Sequence, residues 1–284
     1  APGHETRAIT APFTGQDLAD IPVGTADDVE RAFGRARAAQ KAWARVPVSS
    51  RREVLHRFHD LVLTHEAQLM DILQAETGKS RASAYEEVIH VAITARYYGN
   101  NAEDLLRPRK AHGALPVLSQ TTVHHHPKGV VGVISPWNYP LTLAISDAVA
   151  AIAAGNAVVL KPDSTTPFSA LIAVDLMYRA GLPEDVIQVV PGPGSVVGQA
   201  IVANADFLMF TGSSETGRSL AKQCGERLID FSAELGGKNP LIVAEDANIA
   251  KAVEGARIAS FTNSGHLCVS MERIYVADAV YDEF

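Results

Sequence analysis

The sequence predicts an α/β fold: a doubly wound, parallel five-stranded sheet with N-terminal helices and the start of a second α/β unit. Three observations predict it. Short, wholly apolar runs ("VVGVIS", "AVVLK", "VIQVV", "DFLMF" and "LIDFS") recur between residues 130 and 232. They lack the polar alternation of a half-exposed sheet, as strands buried on both faces do. Between them lie "PLTLAISDAVAAIAAG", "PFSALIAVDLMYRAGLP", "GPGSVVGQAIVAN" and "SETGRSLAKQCGE", each long enough for a crossover helix, and strands joined by such crossovers pair in parallel. Finally, 284 residues, 47% of them hydrophobic, suffice for a large core. The net charge of -7 leaves no basic excess for nucleic-acid phosphates or an anionic membrane, so a small-molecule partner is expected.

Taken in order, "TADDVERAFGRARAAQKAW" is a helix opening on Thr25 as cap. "SSRREVLHRFHDLVLTHEAQLMDILQAETGK" predicts one long helix opening on Ser50, with Glu53 completing a capping box. Leu55, Phe58, Leu61, Val62, Leu69, Ile72 and Leu73 form its buried face. A third helix spans about Ser83 to Leu106, and the Pro- and Gly-broken stretch at about 110–128 reads as a hairpin arm. The five strands follow in a Rossmann-like arrangement. At about Gly237 a new unit begins, with strand "NPLIVAE", helix "NIAKAVEGARIASFTNSG" and strand "RIYVAD". The chain stops there, which is expected to leave an incomplete domain. No basic and apolar leader opens the sequence. The most apolar stretch, Ala144 to Leu160, is broken by Asp147, Gly155 and Asn156, so a membrane span is not expected. The only two cysteines, Cys224 and Cys268, form no CxxC pair, which fits a reducing cytoplasm.

Ligands of such sheets bind beyond the carboxyl ends of the strands, where Ser135, Lys161, Pro191, Thr211 and Ala233 fall. "FTGSSETG", bracketed by Gly212 and Gly217, leaves a strand and opens a helix, so it can turn backbone N–H groups toward a phosphate or serve only as a turn. Lys161 can meet a ribose hydroxyl or a phosphate, or be merely solvated. Asn138 in "SPWNYP" offers a carboxamide to an oxyanion, or simply forms a turn. Glu234 in "AELGGKNP" is a general base if partial burial raises its pKa, and otherwise a surface acid. Cys268 after "TNSGHL" is a nucleophile where its surroundings favour the thiolate, whereas Cys224 in "LAKQCGE" reads as inert and buried. His124 to His126 carry no metal reading, because adjacent strand residues point to opposite faces.

Together "PWNYP", "KPDSTTP", "FTGSSETG", "ELGGKNP" and "SGHLCVSMERIYV" resemble the aldehyde dehydrogenase superfamily in order and spacing, over about Ala8 to Phe284. The resemblance implies a cofactor-binding domain over 1–236 and the beginning of a catalytic domain over 237–284. It implies that Cys268 attacks the aldehyde, that Asn138 and the Cys268 N–H hold the oxyanion, and that Glu234 activates water against the thioester. Ser135, Pro136, Trp137, Lys161, Pro162, Ser164, Gly194, Gly198, Phe210, Thr211, Gly212, Ser213, Leu235 and Gly236 match the family's cofactor contacts. NAD-preferring relatives commonly carry Glu at the place of Ser164, and its carboxylate would repel a 2′-phosphate. NADP is therefore expected to serve at least as well as NAD.

Within the superfamily the chain is most similar to the NADP-using bacterial succinate-semialdehyde dehydrogenases. It departs from them near Ser146, where better-known members carry a carboxylate-binding Arg. His266 stands where Gln is usual, and Ser270 excludes a local disulfide with Cys268. Family members continue well beyond the nucleophile, so the resemblance implies a truncated chain: a fragment of a longer enzyme, a homo-oligomer (dimer or tetramer) when full length, or a truncated product that binds nucleotide without turnover. An acylating relative using coenzyme A would commonly lack the base that Glu234 supplies.

Overall fold

A computed structural model describes residues 4–115 and 118–284. The chain opens with an antiparallel hairpin, β1 (Thr6–Thr10) and β2 (Asp17–Pro22), which the sequence reading did not anticipate. Four helices follow: α1 (Ala26–Trp43), α2 (Val48–Thr64), α3 (Glu66–Thr77) and α4 (Arg81–Leu106). Thr25 caps α1 as expected, with Asp28 closing the capping box.

The long second helix is corrected in two respects. It begins at Val48 with Pro47 in the capping position and no side-chain cap, so Ser50 and Glu53 lie inside it. It also breaks at His65, which leaves helical geometry (φ -103, ψ 18). There the Thr64 hydroxyl donates to the Asp60 carbonyl at 2.8 Å and the His65 ring bonds the Leu61 carbonyl at 2.9 Å, so side chains compete for the last turn. The expected apolar face survives the break, with Leu55, Phe58, Val62, Leu69 and Leu73 buried. Gly78 ends α3 in the left-handed region (φ 73), the conformation glycine adopts most readily.

The arm forms as a short antiparallel pair, β3 (Arg109–Ala111) with β4 (Thr121–Val123); residues 116 and 117 of the arm lie outside the described residues. The strands and crossovers then alternate: β5 (Val130–Ile134), α5 (Pro140–Ala153), β6 (Ala157–Lys161), α6 (Phe168–Arg179), β7 (Ile187–Val189), α7 (Gln199–Asn204), β8 (Phe207–Thr211), α8 (Ser214–Arg227) and β9 (Asp230–Glu234). All five strands are parallel in the order β7-β6-β5-β8-β9. The fifth strand starts two residues later than the run "LIDFS", because Leu228 closes α8 in the left-handed region (φ 55).

Each central strand feeds two cores, as double winding requires. Val131, Val133, Val158 and Leu160 pack with α2, α4, α5 and α6, whereas Val130, Ala157, Val159 and Leu208 pack with α1, α7 and α8. After β9 the chain forms β10 (Asn239–Val243), α9 (Ile249–Phe261) and β11 (Met271–Val276), with β10 and β11 parallel. This last unit is thinly covered: Ile242 and Phe261 are 75% and 71% exposed.

Candidate active site

Asn138, Glu234 and Cys268 lie on three different elements, and the fold brings them to one cavity of about 330 Å³. Pro136, Trp137, Thr211, Gly212, Ser213, Leu235 and Gly236 line it too. Asn138 sits in the loop after β5, held between Pro136 and Pro140, the latter starting α5. Glu234 ends β9, where its backbone carbonyl accepts from the Gly212 N–H at 3.0 Å and so ties two walls of the cavity together. Cys268 lies exposed between α9 and β11, and its backbone carbonyl accepts from Asn239 Nδ2 at 3.0 Å.

Two contacts join the asparagine loop to the cysteine loop. Asn138 Nδ2 donates to the His266 carbonyl at 2.6 Å, and Asn263 Nδ2 donates back to the Asn138 carbonyl at 3.0 Å. His266 packs edge-on against Trp137, ring centroids 4.9 Å apart. Burial pushes the Tyr139 hydroxyl up to about 12, with Glu86, Glu87 and Cys268 adding to the effect.

Glu234 is exposed, so the partial burial on which its base reading depended is not found. A half-buried carboxylate of this region is Asp147 on α5, raised to about 6 by desolvation and then by the charge of Glu234. Lys161 is likewise not solvated at its strand end: it is 5% exposed, burial lowers its pKa, and Nζ donates to the Pro162 carbonyl at 3.0 Å. Ser164 donates its hydroxyl to the Gly192 carbonyl at 2.8 Å. Phe210 turns into the core, where a Cβ on Gly212 would strike its ring at 2.5 Å, so Gly212 is required by packing. Gly194 opens a single π-helical turn, Gly194–Gly198, leading into α7. A side chain added at Gly194 or Gly236 would meet nothing within 4 Å.

These residues fit a dinucleotide. Ser135 directly follows β5 with its hydroxyl oxygen buried and unpartnered, an orphan that a ligand can satisfy. The start of α8 at Ser213 opens into the same cavity as Cys268. A thiol, a carboxamide and a helix N-terminus around one cavity can hold an acyl group, an oxyanion and a phosphate respectively, and the carboxylate beside them can take up a proton.

Lys79, Glu87, Asn263, Asn239 and Asp147 were not singled out from the sequence. Lys79 follows the Gly78 turn, but its bond to Asn138 spans 59 residues, and no local pattern announces it. Cys224 is buried as expected, and burial raises its thiol pKa. Among the described residues no group of three or more His, Cys, Asp or Glu could hold a metal ion, and no helix is long and apolar enough to cross a membrane.

The profile of the aldehyde dehydrogenase family matches residues 1–284. Over 281 residues the chain is 58% identical to a Mycolicibacterium smegmatis protein named "Putative succinate-semialdehyde dehydrogenase (NADP(+))", covering 99% of this chain and 54% of that one. It is 37% identical to the NADP(+) succinate-semialdehyde dehydrogenase GabD of Escherichia coli, covering 97% and 57%. The chain thus spans about half the length of the curated relatives it matches. An E. coli NADP-dependent enzyme superposes with a TM-score of 0.95 at 36% identity, over 98% of this chain and 58% of that one. A 3,6-anhydro-L-galactose dehydrogenase solved in complex with NAP gives 0.94 at 34% identity, over 100% and 59%.

Proposed function

This chain belongs to the aldehyde dehydrogenase family, and from that premise we propose that the intact protein oxidises an aldehyde, succinic semialdehyde first, to the carboxylic acid with NADP, and also with NAD. The observation that carries the reading is the single cavity shared by Cys268, Asn138, Glu234 and the Thr211–Ser213 turn. Residues 1–236 act as the cofactor-binding domain and 237–284 as the beginning of the catalytic one. Ser135, Lys161, Ser164, Gly212 and Ser213 would hold the dinucleotide, whose nicotinamide supplies the hydride acceptor when bound.

The chain's own residues do the rest. The Cys268 thiolate attacks the carbonyl carbon and later carries the acyl group as a thioester. The oxyanion lies against the Cys268 N–H and the Asn138 carboxamide, which leaves the His266 carbonyl to reach it. Glu234 lines the same cavity as Cys268 and, although exposed, takes a proton from the water that releases the acid. Ser164 offers no negative charge to a 2′-phosphate, which supports NADP use.

An NADP-coupled screen led by succinic semialdehyde tests the reading. Cys268→Ala should abolish turnover and leave cofactor binding intact; unchanged turnover would refute the mechanism. A kcat/KM ratio strongly favouring NAD would refute the cofactor reading. One observation favours another aliphatic or aromatic aldehyde: the stretch "AISDA" around Ser146 has no Arg to bind a substrate carboxylate. A screen in which a neutral aldehyde outruns succinic semialdehyde decides for it. Two free thiols support a reducing, cytoplasmic setting. We take the full-length protein to be a homo-oligomer, dimer or tetramer, which a light-scattering mass measures.

A further inference from the structure

Lys79 lies at the turn between α3 and α4, 5% exposed, and converges on the asparagine loop in three ways. Its ammonium donates to the Asn138 backbone carbonyl at 2.9 Å, pairs with buried Glu87, and lies 4.6 Å from the centroid of the Tyr139 ring. Glu87 in turn accepts from the N–H groups of Leu141 and Thr142, each at 3.0 Å, at the start of α5. The loop that carries Asn138 is therefore clamped on its carbonyl side by a buried cation and on its far side by a buried carboxylate.

We propose that Lys79 is a positioning residue for the Asn138 carboxamide. This rests on the oxyanion role given to Asn138 above. The Asn138 side chain has two torsions, so its reach depends on where the backbone at 138 points Cα–Cβ. The carbonyl that defines that peptide plane accepts from only two side chains, Lys79 and Asn263, among the described residues. Asn263 belongs to the cysteine loop itself. Lys79, through Glu87, ties the asparagine loop to the buried helical layer. A donor aimed at a developing charge loses its effect with displacements of about 1 Å. Lys79 thus acts on the chemical step without touching substrate.

The test uses the intact protein with succinic semialdehyde and NADP, or the faster aldehyde of the screen. It compares Lys79→Met, Asn138→Ala and the double variant by kcat, cofactor Kd and Tm. Lys79→Met should lower kcat about tenfold or more, part of the roughly hundredfold that losing an oxyanion donor costs, with cofactor Kd within about twofold. The double variant should be no slower than Asn138→Ala alone, because Lys79 acts through Asn138. Losses that multiply in the double variant, or a kcat for Lys79→Met equal to wild type, overturn the proposal. A normal kcat in Asn138→Ala instead overturns the oxyanion reading itself, and the positioning role with it. If Lys79→Met does not fold, Lys79→Met with Glu87→Gln carries the same comparison, since it removes the ammonium without stranding a buried carboxylate.

Discussion

Three crossover helices, α5, α6 and α8, begin at the carboxyl edge of the sheet, and they begin differently. The first N–H groups of α5 are bonded by Glu87, and those of α6 by Glu76, which accepts from Phe168 at 2.8 Å and from Ser169 at 3.1 Å. Both glutamates come from the α3–α4 layer and are buried. The start of α8 has only its own Ser213 hydroxyl, which accepts from the Thr216 N–H at 3.2 Å, and no carboxylate of the described residues bonds it. A helix N-terminus attracts anions through its free N–H groups and its dipole. Of these three ends, two are already filled by the protein's own carboxylates, and the α8 end is left open beside the cavity of Cys268. On the proposed reading, that open end is where a phosphate of the cofactor would lie.

Filling the open end should break that contrast with the largest effect. In Ser213→Asp the new side chain caps α8 as well as Ser does, so Tm should hold. Its charge faces the incoming phosphate, and like charges brought together cost several kcal/mol, so cofactor affinity should fall about a hundredfold. Titration calorimetry with NADP reads this directly. An unchanged Kd would mean that the phosphate does not sit at α8.

The closed ends should reveal themselves through pH. Glu76 is raised from 4.5 to about 7, chiefly by burial, with hydrogen bonds from Ser169 and Phe168 working against it. Because the folded carboxyl holds its proton more tightly than the unfolded one, its contribution is complete below about 4.5 and is lost as pH rises through 7. The shift corresponds to about 3 kcal/mol at 1.36 kcal/mol per unit. Denaturant midpoints taken from pH 5 to pH 8 should therefore decline, and in Glu76→Gln the decline should flatten. Identical slopes in the two proteins would assign the pH dependence to another group, of which Asp147 is the first to test by Asp147→Asn.

The same contrast explains what could be read in advance. Thr25 and Asp28 form a cap within four residues, so the start of α1 was legible. Glu76 and Glu87 reach helix starts 92 and 54 residues away, and nothing local distinguishes them from other helical acids. Ser50 and Glu53 display the same local pattern as a true cap, yet the helix begins at Val48 behind Pro47, because a proline fixes the entry one turn earlier. Asn138, Glu234 and Cys268 were legible for a similar reason to Thr25: each stands in a Gly- or Pro-bounded turn beside an apolar strand. Lys79 and Asn263, which touch the Asn138 carbonyl from opposite sides, were not, since their meaning lies only in the tertiary contact. The β1–β2 hairpin escaped because, of its strand residues, only Ile9 and Ile21 are buried, too few for a period-two pattern to stand out.

The smallest expected effect belongs to the local cap. At α1 the Thr25 hydroxyl accepts from the Asp28 N–H at 3.2 Å, and Asp28 accepts from the Thr25 N–H at 2.8 Å. Burial opposes ionisation of Asp28, but hydrogen bonds from Thr25 and His4 prevail and hold its carboxyl well below the usual carboxylate range. A carboxyl depressed in the folded state stabilises above its unfolded pKa, and that stability is lost only in strong acid. Thr25→Ala should therefore cost about 1 kcal/mol at neutral pH, the ordinary worth of an N-cap. It should leave cofactor affinity untouched, because Thr25 does not line the cavity that Cys268 shares with the Ser213 turn. A loss of NADP binding in Thr25→Ala would show that helix starts on this scaffold are coupled through the sheet. A loss confined to stability would leave α8 as the end that answers to the ligand.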